Sequence, residues 1–341
     1  MYNNNNNNDI HDTTLTPIYK SIKNNIKNNI KNNIIVINSI DRNWYNYPLE
    51  TPYNFLVKLG GTSKDKYSIV SQNYKNIISF AINTIILPNR PCIQSYSSII
   101  TPRLTDNSYL TVISKGINFS SYGTNRTLNE TIGIYTPIVP ISVNLADIMY
   151  LEYKNVSNQK KEYNQSPESY ISILDLSIRT PAGILSSNIN DVLEIYSIFA
   201  KASDINALTI TDTLVIQTNT FFNVNEFRAN DLIKFSNYVY HNMSFDESGM
   251  FNNWINATGG HYIININKSN NTTTLYNQIR IPLPATLSRT TGTFIVEPWF
   301  IEFITKSFST SVIQATSGKL ININTQTHLV VNINTIEKIM D

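Results

Sequence analysis

From residue 34 onward the chain is written in short β-branched and aromatic runs separated by polar turns, the pattern of strands rather than helices. In Tyr53-Asn54-Phe55-Leu56-Val57-Lys58-Leu59 the residues Tyr53, Phe55, Val57 and Leu59 fall on one face at a period of two, and Pro52 stands where a strand start tolerates it. The run 77–87 (IISFAINTIIL) is apolar on both faces and closed by Pro88, which predicts a central strand buried between layers. Further strands are predicted over 109–114, 148–153 and 170–179, the last ended by the turn Pro181-Ala182-Gly183. Between them 135–143, interrupted by Pro137 and Pro140, reads as an edge or loop crossing. Segment 191–200 admits two readings. Val192, Ile195, Tyr196 and Phe199 fit a helical face, with Asp191 and Glu194 as a capping box, and a strand is the preferred reading of the two.

Past residue 207 the runs shorten, to 214–217, 231–235, and 262–267 joined through Lys268-Ser269-Asn270-Asn271 to 275–281. That last pair predicts a hairpin, with Tyr262, Ile264 and Ile266 facing one way and Ile263, Asn265 and Asn267 the other. Pro282 and Pro284 then punctuate, and apolar β-runs return at 294–305, 320–324 and 328–334. The whole reads as an all-β chain: a β-sandwich in two parts, 34–206 and 285–341, with a small β-domain inserted at 207–284 and a low-complexity arm over 1–33.

The arm opens with Asn3 to Asn8 and then repeats Ile-Lys-Asn-Asn over 22–33, setting Lys23, Lys27 and Lys31 four residues apart. Against a helix of 3.6 residues per turn a period of four drifts about 40° per repeat, so the isoleucines at 22, 26, 30 and 34 would wind around it. Asparagine is also a poor helix former. Two readings stand: a disordered tract, or an arm that orders on a neighbouring subunit.

Composition narrows the function classes. At 341 residues and 41% hydrophobic, the chain is long enough to bury a sizeable core. Its polar surface is amide and hydroxyl rather than ionic, with 49 asparagines against a charged fraction of 15%. Lys+Arg 26 against Asp+Glu 24 leaves no electrostatic footprint for a specific nucleic-acid partner. Cys92 is the lone cysteine, so no internal disulfide forms, and no Cys/His spacing suits a structural zinc. No signal-peptide pattern and no apolar run of membrane-spanning length is found.

Catalytic constellations are equally absent. His11, His241, His261 and His328 are scattered and no G-x-S-x-G elbow accompanies them. Glu297 and Glu302 flank an aromatic stretch, but five residues apart on a strand they face opposite ways. Asp246-Glu247 before Gly249 reads as a turn, and Gly60-Gly61 and Gly259-Gly260 lack what a phosphate loop needs downstream. The expectation is a protein without catalytic residues, cofactor or metal.

The most informative stretch is Val36-Ile37-Asn38-Ser39-Ile40-Asp41-Arg42-Asn43-Trp44, where an apolar strand delivers a charged pair and a large ring into a Tyr- and Pro-containing loop. Either Trp44 covers the core edge, or Asp41, Arg42 and Trp44 form a docking surface, Trp and Arg being frequent interface anchors. Here a resemblance enters. "INSIDRNW…ETPYNFLVKL" (37–59), "YKNIISFAINTIILPN" (74–89) and "YISILDLSIRTPAGIL" (170–185) resemble minor capsid and other virion structural proteins of large double-stranded DNA viruses of the mimivirus-like group. "FRANDLIKF" (227–235) and "NNWINATGGHYIININ" (252–267) resemble the β-module inserted in some members.

The resemblance implies a sandwich of jelly-roll type and a place in an icosahedral shell, assembled in the host cytoplasm, with the major capsid protein, other minor capsid proteins and further copies of the chain as partners. The expected interface residues are Lys23, Lys27, Lys31, Asp41, Arg42 and Trp44. The alternative is a carbohydrate- or receptor-binding module on the virion exterior that stacks its ligand on Trp254, Trp299 and surface tyrosines.

Overall fold

The structure is a computed structural model that describes residues 30–47, 49–60, 68–90, 103–115, 117, 130–139, 149–156, 158–163, 167–186, 190–202, 204, 207–240, 246–268, 275–307, 313–314 and 318–336. Its elements run in the order β1 (Ile30–Asn38), β2 (Asn54–Leu59), β3 (Ser68–Val70), β4 (Lys75–Pro88), β5 (Leu110–Lys115), β6 (Thr131–Ile138), β7 (Tyr150–Asn155), β8 (Lys161–Glu162), β9 (Glu168–Tyr170), β10 (Ile173–Arg179) and β11 (Val192–Lys201). There follow β12 (Thr213–Phe222), β13 (Leu232–Ser236), α1 (Asp246–Ile255), β14 (His261–Tyr262), β15 (Asn265–Asn267), β16 (Tyr276–Pro282), β17 (Ala285–Leu287), β18 (Phe294–Val296), α2 (Pro298–Ser307), β19 (Ile313–Gln314), β20 (Lys319–Asn322) and β21 (His328–Ile336).

The fold is all-β and of sandwich type, with a sheet curled into a half-barrel. That sheet has eleven strands in the order β1-β21-β4-β7-β6-β5-β10-β2-β3, with β8 and β9 added against β4. The second has eight, in the order β14-β13-β20-β11-β12-β16-β15 with β19 against β11, and β17 and β18 form a small ribbon. Among the described residues all strand pairings are antiparallel except β2 with β3. This pairing does not confirm a jelly-roll strand order.

Alternation decides which side chains meet. In β2 and β21 every second residue is buried, as a strand with one wet face requires. β4 lies inside its sheet, but it is not apolar on both faces by design. Its buried side chains Ile77, Phe80, Ile82, Ile85 and Leu87 are spaced three, two, three and two apart, because the register with β21 slips past Ile78 and again past Asn83. Each bulge adds one residue, so the core face resumes three positions on instead of two, at Phe80 after Ile77 and at Ile85 after Ile82. β6 runs between β5 and β7, where the prolines predict an edge or loop crossing. Its pairing with β5 ends at Tyr135, so at Pro137 a neighbour remains on the β7 side alone, which suits a residue without an N–H.

The sheets divide the chain at different points from the expected insertion. β11 and β20 lie outside 207–284 yet both belong to the second sheet, so the chain passes between sheets near residue 190 and again near residue 325. Two expected non-helical segments are helical. Within 294–305, only the first residues form β18, and Pro298 then opens α2, where its missing N–H costs nothing. Phe300, Phe303 and Ile304, spaced three and four apart, are buried on one face of α2. Asp246-Glu247 begins α1 rather than a turn, and Phe251 and Ile255, four apart, carry α1 into the same core. The expected hairpin exists as β15 with β16, while His261 and Tyr262 pair instead with β13. There Ile263 is the buried residue, and Tyr262 and Ile264 face outward.

Candidate functional site

β1 ends the first sheet and, among the described residues, pairs on one side only, with β21. Ile35 and Ile37 point inward and belong to the first core. The other face carries Ile34, 65% exposed, Val36, 62% exposed, and Ile30, 40% exposed. The register sets Ile34 opposite Asn332, Val36 opposite Val330 and Ile30 opposite Ile336, so these side chains form a ribbon two strands wide on the outer face. Among the described residues β1 therefore combines an edge without a strand partner with an apolar row beside it, the two ingredients of strand addition.

The expected interface residues distribute as follows. Lys23 and Lys27 lie outside the described residues. Lys31 is exposed on β1, opposite Thr335, and Asp41 is exposed at the turn that follows β1. Arg42 and Trp44 are buried, which removes them from any docking surface and makes them the joint between the two sheets. The Arg42 guanidinium grips Asp191 with Nη2 at 2.5 and 2.7 Å from the two carboxylate oxygens. Its Nη1 donates to Ser39 O at 2.7 Å and to Gln326 Oε1 at 2.6 Å. Gln326 in turn donates to Asp191 Oδ2 at 3.0 Å. Trp44 packs with Val192 of β11 and Ile321 of β20, and Lys319 Nζ stands 5.0 Å from the centre of the Tyr45 ring.

A second buried pair ties the same two sheets. Arg90, just past β4, forks onto both oxygens of Asp231, which also accepts from Asn322 Nδ2 at 2.7 Å and from the Arg228 N–H at 3.0 Å. Both carboxylates thus accept from several fixed donors, the arrangement of a structural clamp.

The remaining candidate chemistry is also accounted for by packing. His261 Nε2 lies 3.0 Å from Trp254 O and 3.1 Å from Ile255 O, so its N–H caps the last carbonyls of α1. Burial lowers its pKa against the opposing pull of those carbonyls. Trp254 is half-buried against His261 and Phe251, and Trp299 is half-buried on α2 beside Phe300. Glu302 is exposed on α2, and the Glu297 carbonyl accepts from the Phe300 and Ile301 N–H groups at the start of that helix. His11 and His241 lie outside the described residues. Among the described residues no group of three His, Cys, Asp or Glu is placed to hold a metal ion, and no helix is long and apolar enough to cross a membrane.

No model of a known protein family, no curated protein and no solved structure matches this chain.

The β1 row went unpredicted although its signal is present. A period of four is awkward on a helix, but it is twice the period of a strand. Ile30 and Ile34 of the repeat therefore share one face of β1 while Lys31 falls on the other.

Proposed function

We propose that this chain is a non-catalytic structural protein that joins neighbouring subunits of a viral capsid by accepting a strand on the free edge of β1. The observation that carries the reading is the exposed row Ile30, Ile34 and Val36 on an edge strand whose inner face is anchored in the first core. The resemblance of 37–59, 74–89 and 170–185 to minor capsid proteins of large double-stranded DNA viruses supports the setting. In this reading the major capsid protein or another minor capsid protein supplies the strand, within a virion assembled in the host cytoplasm.

The energetics suit assembly. A partner strand satisfies the edge N–H and C=O groups of β1, and covering what is exposed of Ile34 and Val36 contributes up to about 1–2 kcal/mol each. The buried clamps Arg42–Asp191 and Arg90–Asp231 hold the two sheets together, which lets a load taken at β1 pass to the rest of the chain.

The test is the double variant Ile34→Lys, Val36→Lys. It is expected to keep the wild-type circular dichroism spectrum and thermal midpoint, since both side chains already face water, and to lose incorporation into particles. Incorporation at the wild-type level would remove β1 as the docking edge. A cryo-electron-microscopy map that traces a foreign strand beside β1 would establish the partner.

A further inference from the structure

Free strand edges are scarce in this fold. The second sheet closes on itself, because segment 261–267 meets both of its ends. On the β13 side the Ile263 N–H donates to Asp231 O and Ile263 O accepts from the Asn230 N–H, both at 2.8 Å. On the β16 side the Ile264 N–H donates to Arg280 O at 2.8 Å. Closure removes edges. Among the described residues every strand with a neighbour on one side only is three residues long or shorter, except β1, which has nine.

The backbone groups on that edge can be named. The Ser39 N–H donates to Thr327 O at 2.9 Å, one step past the pair Asn38 and His328. Hydrogen-bonded pairs alternate along an antiparallel ladder, so Lys31, Asn33, Ile35 and Ile37 turn their N–H and C=O groups to β21. Ile30, Asn32, Ile34, Val36 and Asn38 turn theirs to the free edge. Ile336, opposite Ile30, agrees with this parity: its O points away from β1 and accepts from Asn76 Nδ2 at 3.5 Å.

This edge lacks the usual devices against self-pairing, which are a lysine, a proline or a bulge. None of the five edge-facing residues is charged or is a proline, and the register with β21 runs without a shift. Lys31, the one charge of β1, belongs to the other set. The stretch Asn33-Ile34-Ile35-Val36-Ile37-Asn38 has no charge, no Pro and no Gly and four β-branched residues in a row, a composition that pairs with copies of itself.

The strand also matches itself about a two-fold axis. With Ile34 on the axis, antiparallel pairing sets Ile30 opposite Asn38 of the second copy and Asn32 opposite its Val36. All five edge-facing residues of each strand then meet edge-facing residues, for about ten inter-strand hydrogen bonds. Lys31 meets Ile37 of the second copy, and the two lysines stand about 20 Å apart, beyond the screening length of about 10 Å. With Lys+Arg 26 against Asp+Glu 24, whole chains repel each other little. Because both copies use the same strand, the contact closes at two.

We infer that a second copy of this chain occupies the β1 edge in the isolated protein, as a two-fold dimer joined strand to strand about Ile34. The inference rests on the reading of β1 as an edge that accepts a strand, and it names the occupant before assembly. A joining partner competes for the same five residues, so the dimer dissociates when a neighbouring subunit is bound. A contact of one strand is small and weak, with a dissociation constant on the order of 10–100 μM, which suits an occupant that is later displaced.

The experiment is sedimentation velocity on the full chain from about 5 to about 300 μM, a range that brackets this constant. The wild type is expected to pass from one copy to two, and Ile34→Lys, Val36→Lys to associate about tenfold or more weakly at an unchanged thermal midpoint. Register is read by oxidation in a Cys92→Ser background. Ile34→Cys should close a disulfide between copies, and Val36→Cys should do so with Asn32→Cys but not with itself, all at exposed positions whose folding is not at stake. A chain that stays monomeric, a dimer indifferent to the lysines, or Val36→Cys closing on itself as readily as Ile34→Cys overturns the inference. Particle incorporation keeps the two readings apart. A monomeric chain that still needs Ile34 and Val36 to enter particles overturns the dimer alone, while a dimer broken by the lysines with incorporation unchanged supports it and overturns the docking role.

Discussion

The two cores of this chain are filled by different means. In the first, the largest fully buried side chains are Tyr135, Tyr153, Phe55 and Phe80, set among aliphatic residues of long strands. In the second they are Phe222, Phe227, Phe235, Phe251, Phe300, Phe303 and Tyr238, and two helices bring in three of them. Among the described residues no α-helix contributes to the first core, whereas α1 and α2 bring rings into the second, Phe251 and Phe303 stacking at 4.6 Å between centroids. The first sheet also offers a place that a partner can reach, because among the described residues β1 has a strand on one side only and Ile34 and Val36 are exposed on it.

The largest expected effect tests that difference directly. Phe303→Ala removes a fully buried ring from the second core and should cost about 3–5 kcal/mol in guanidinium unfolding. Tyr135→Phe in the first core should cost about 1–2 kcal/mol, because it keeps the ring and removes only the hydroxyl that donates to Ile82 O at 2.9 Å. If Phe303→Ala proved the milder change, α2 would not be an integral part of its core.

Much of this architecture is legible in the sequence, and the failures have identifiable causes. Period-two runs such as 53–59 and 328–334 report their own face, because alternation is a local property. The bulges of β4 are not local: Ile78 and Asn83 become extra residues only against β21, some 250 residues later. α2 was masked by composition, since Trp299, Phe300, Ile301 and Phe303 favour strands, and only Pro298 and the three-and-four spacing of Phe300, Phe303 and Ile304 argue otherwise. Of the candidate site, Arg42 and Trp44 have the residue types of an interface, yet their partners Asp191 and Gln326 are 149 and 284 positions away from Arg42. A residue type reports what a side chain can bind, and the fold decides whether that partner is another molecule or the same chain.

A smaller effect separates the two histidines that the fold describes. Burial lowers the pKa of His261, which is buried in the second core, and of His328, which is half-buried on the first sheet with Asp41 pulling the other way. A lowered pKa means that just below pH 6.5 the unfolded chain binds more protons than the folded one. Stability is therefore full above about pH 6.5 and falls as pH decreases, by at most about 1.4 kcal/mol per unit for each group, until the folded pKa is reached. Unfolding free energies at pH 7.5 and 5.5 should differ less in His261→Gln than in the wild type. An equal difference in both would place the pH dependence elsewhere.

The smallest expected effect is also the sharpest, because it compares neighbours on one strand. Val36 and Ile37 share the backbone of β1, but Val36 faces water and Ile37 is 3% exposed in the first core. Val36→Thr should change stability by no more than about 0.5 kcal/mol, as surface substitutions do, while Ile37→Ala should cost about 2–5 kcal/mol. A one-residue slip of β1 against β21 would exchange these two results, because it turns every side chain to the opposite face. The pair thus fixes the register on which the exposed row depends. A neutral Val36→Thr that nonetheless weakens assembly would separate the two uses of β1, one face holding the fold together and the other left for a partner.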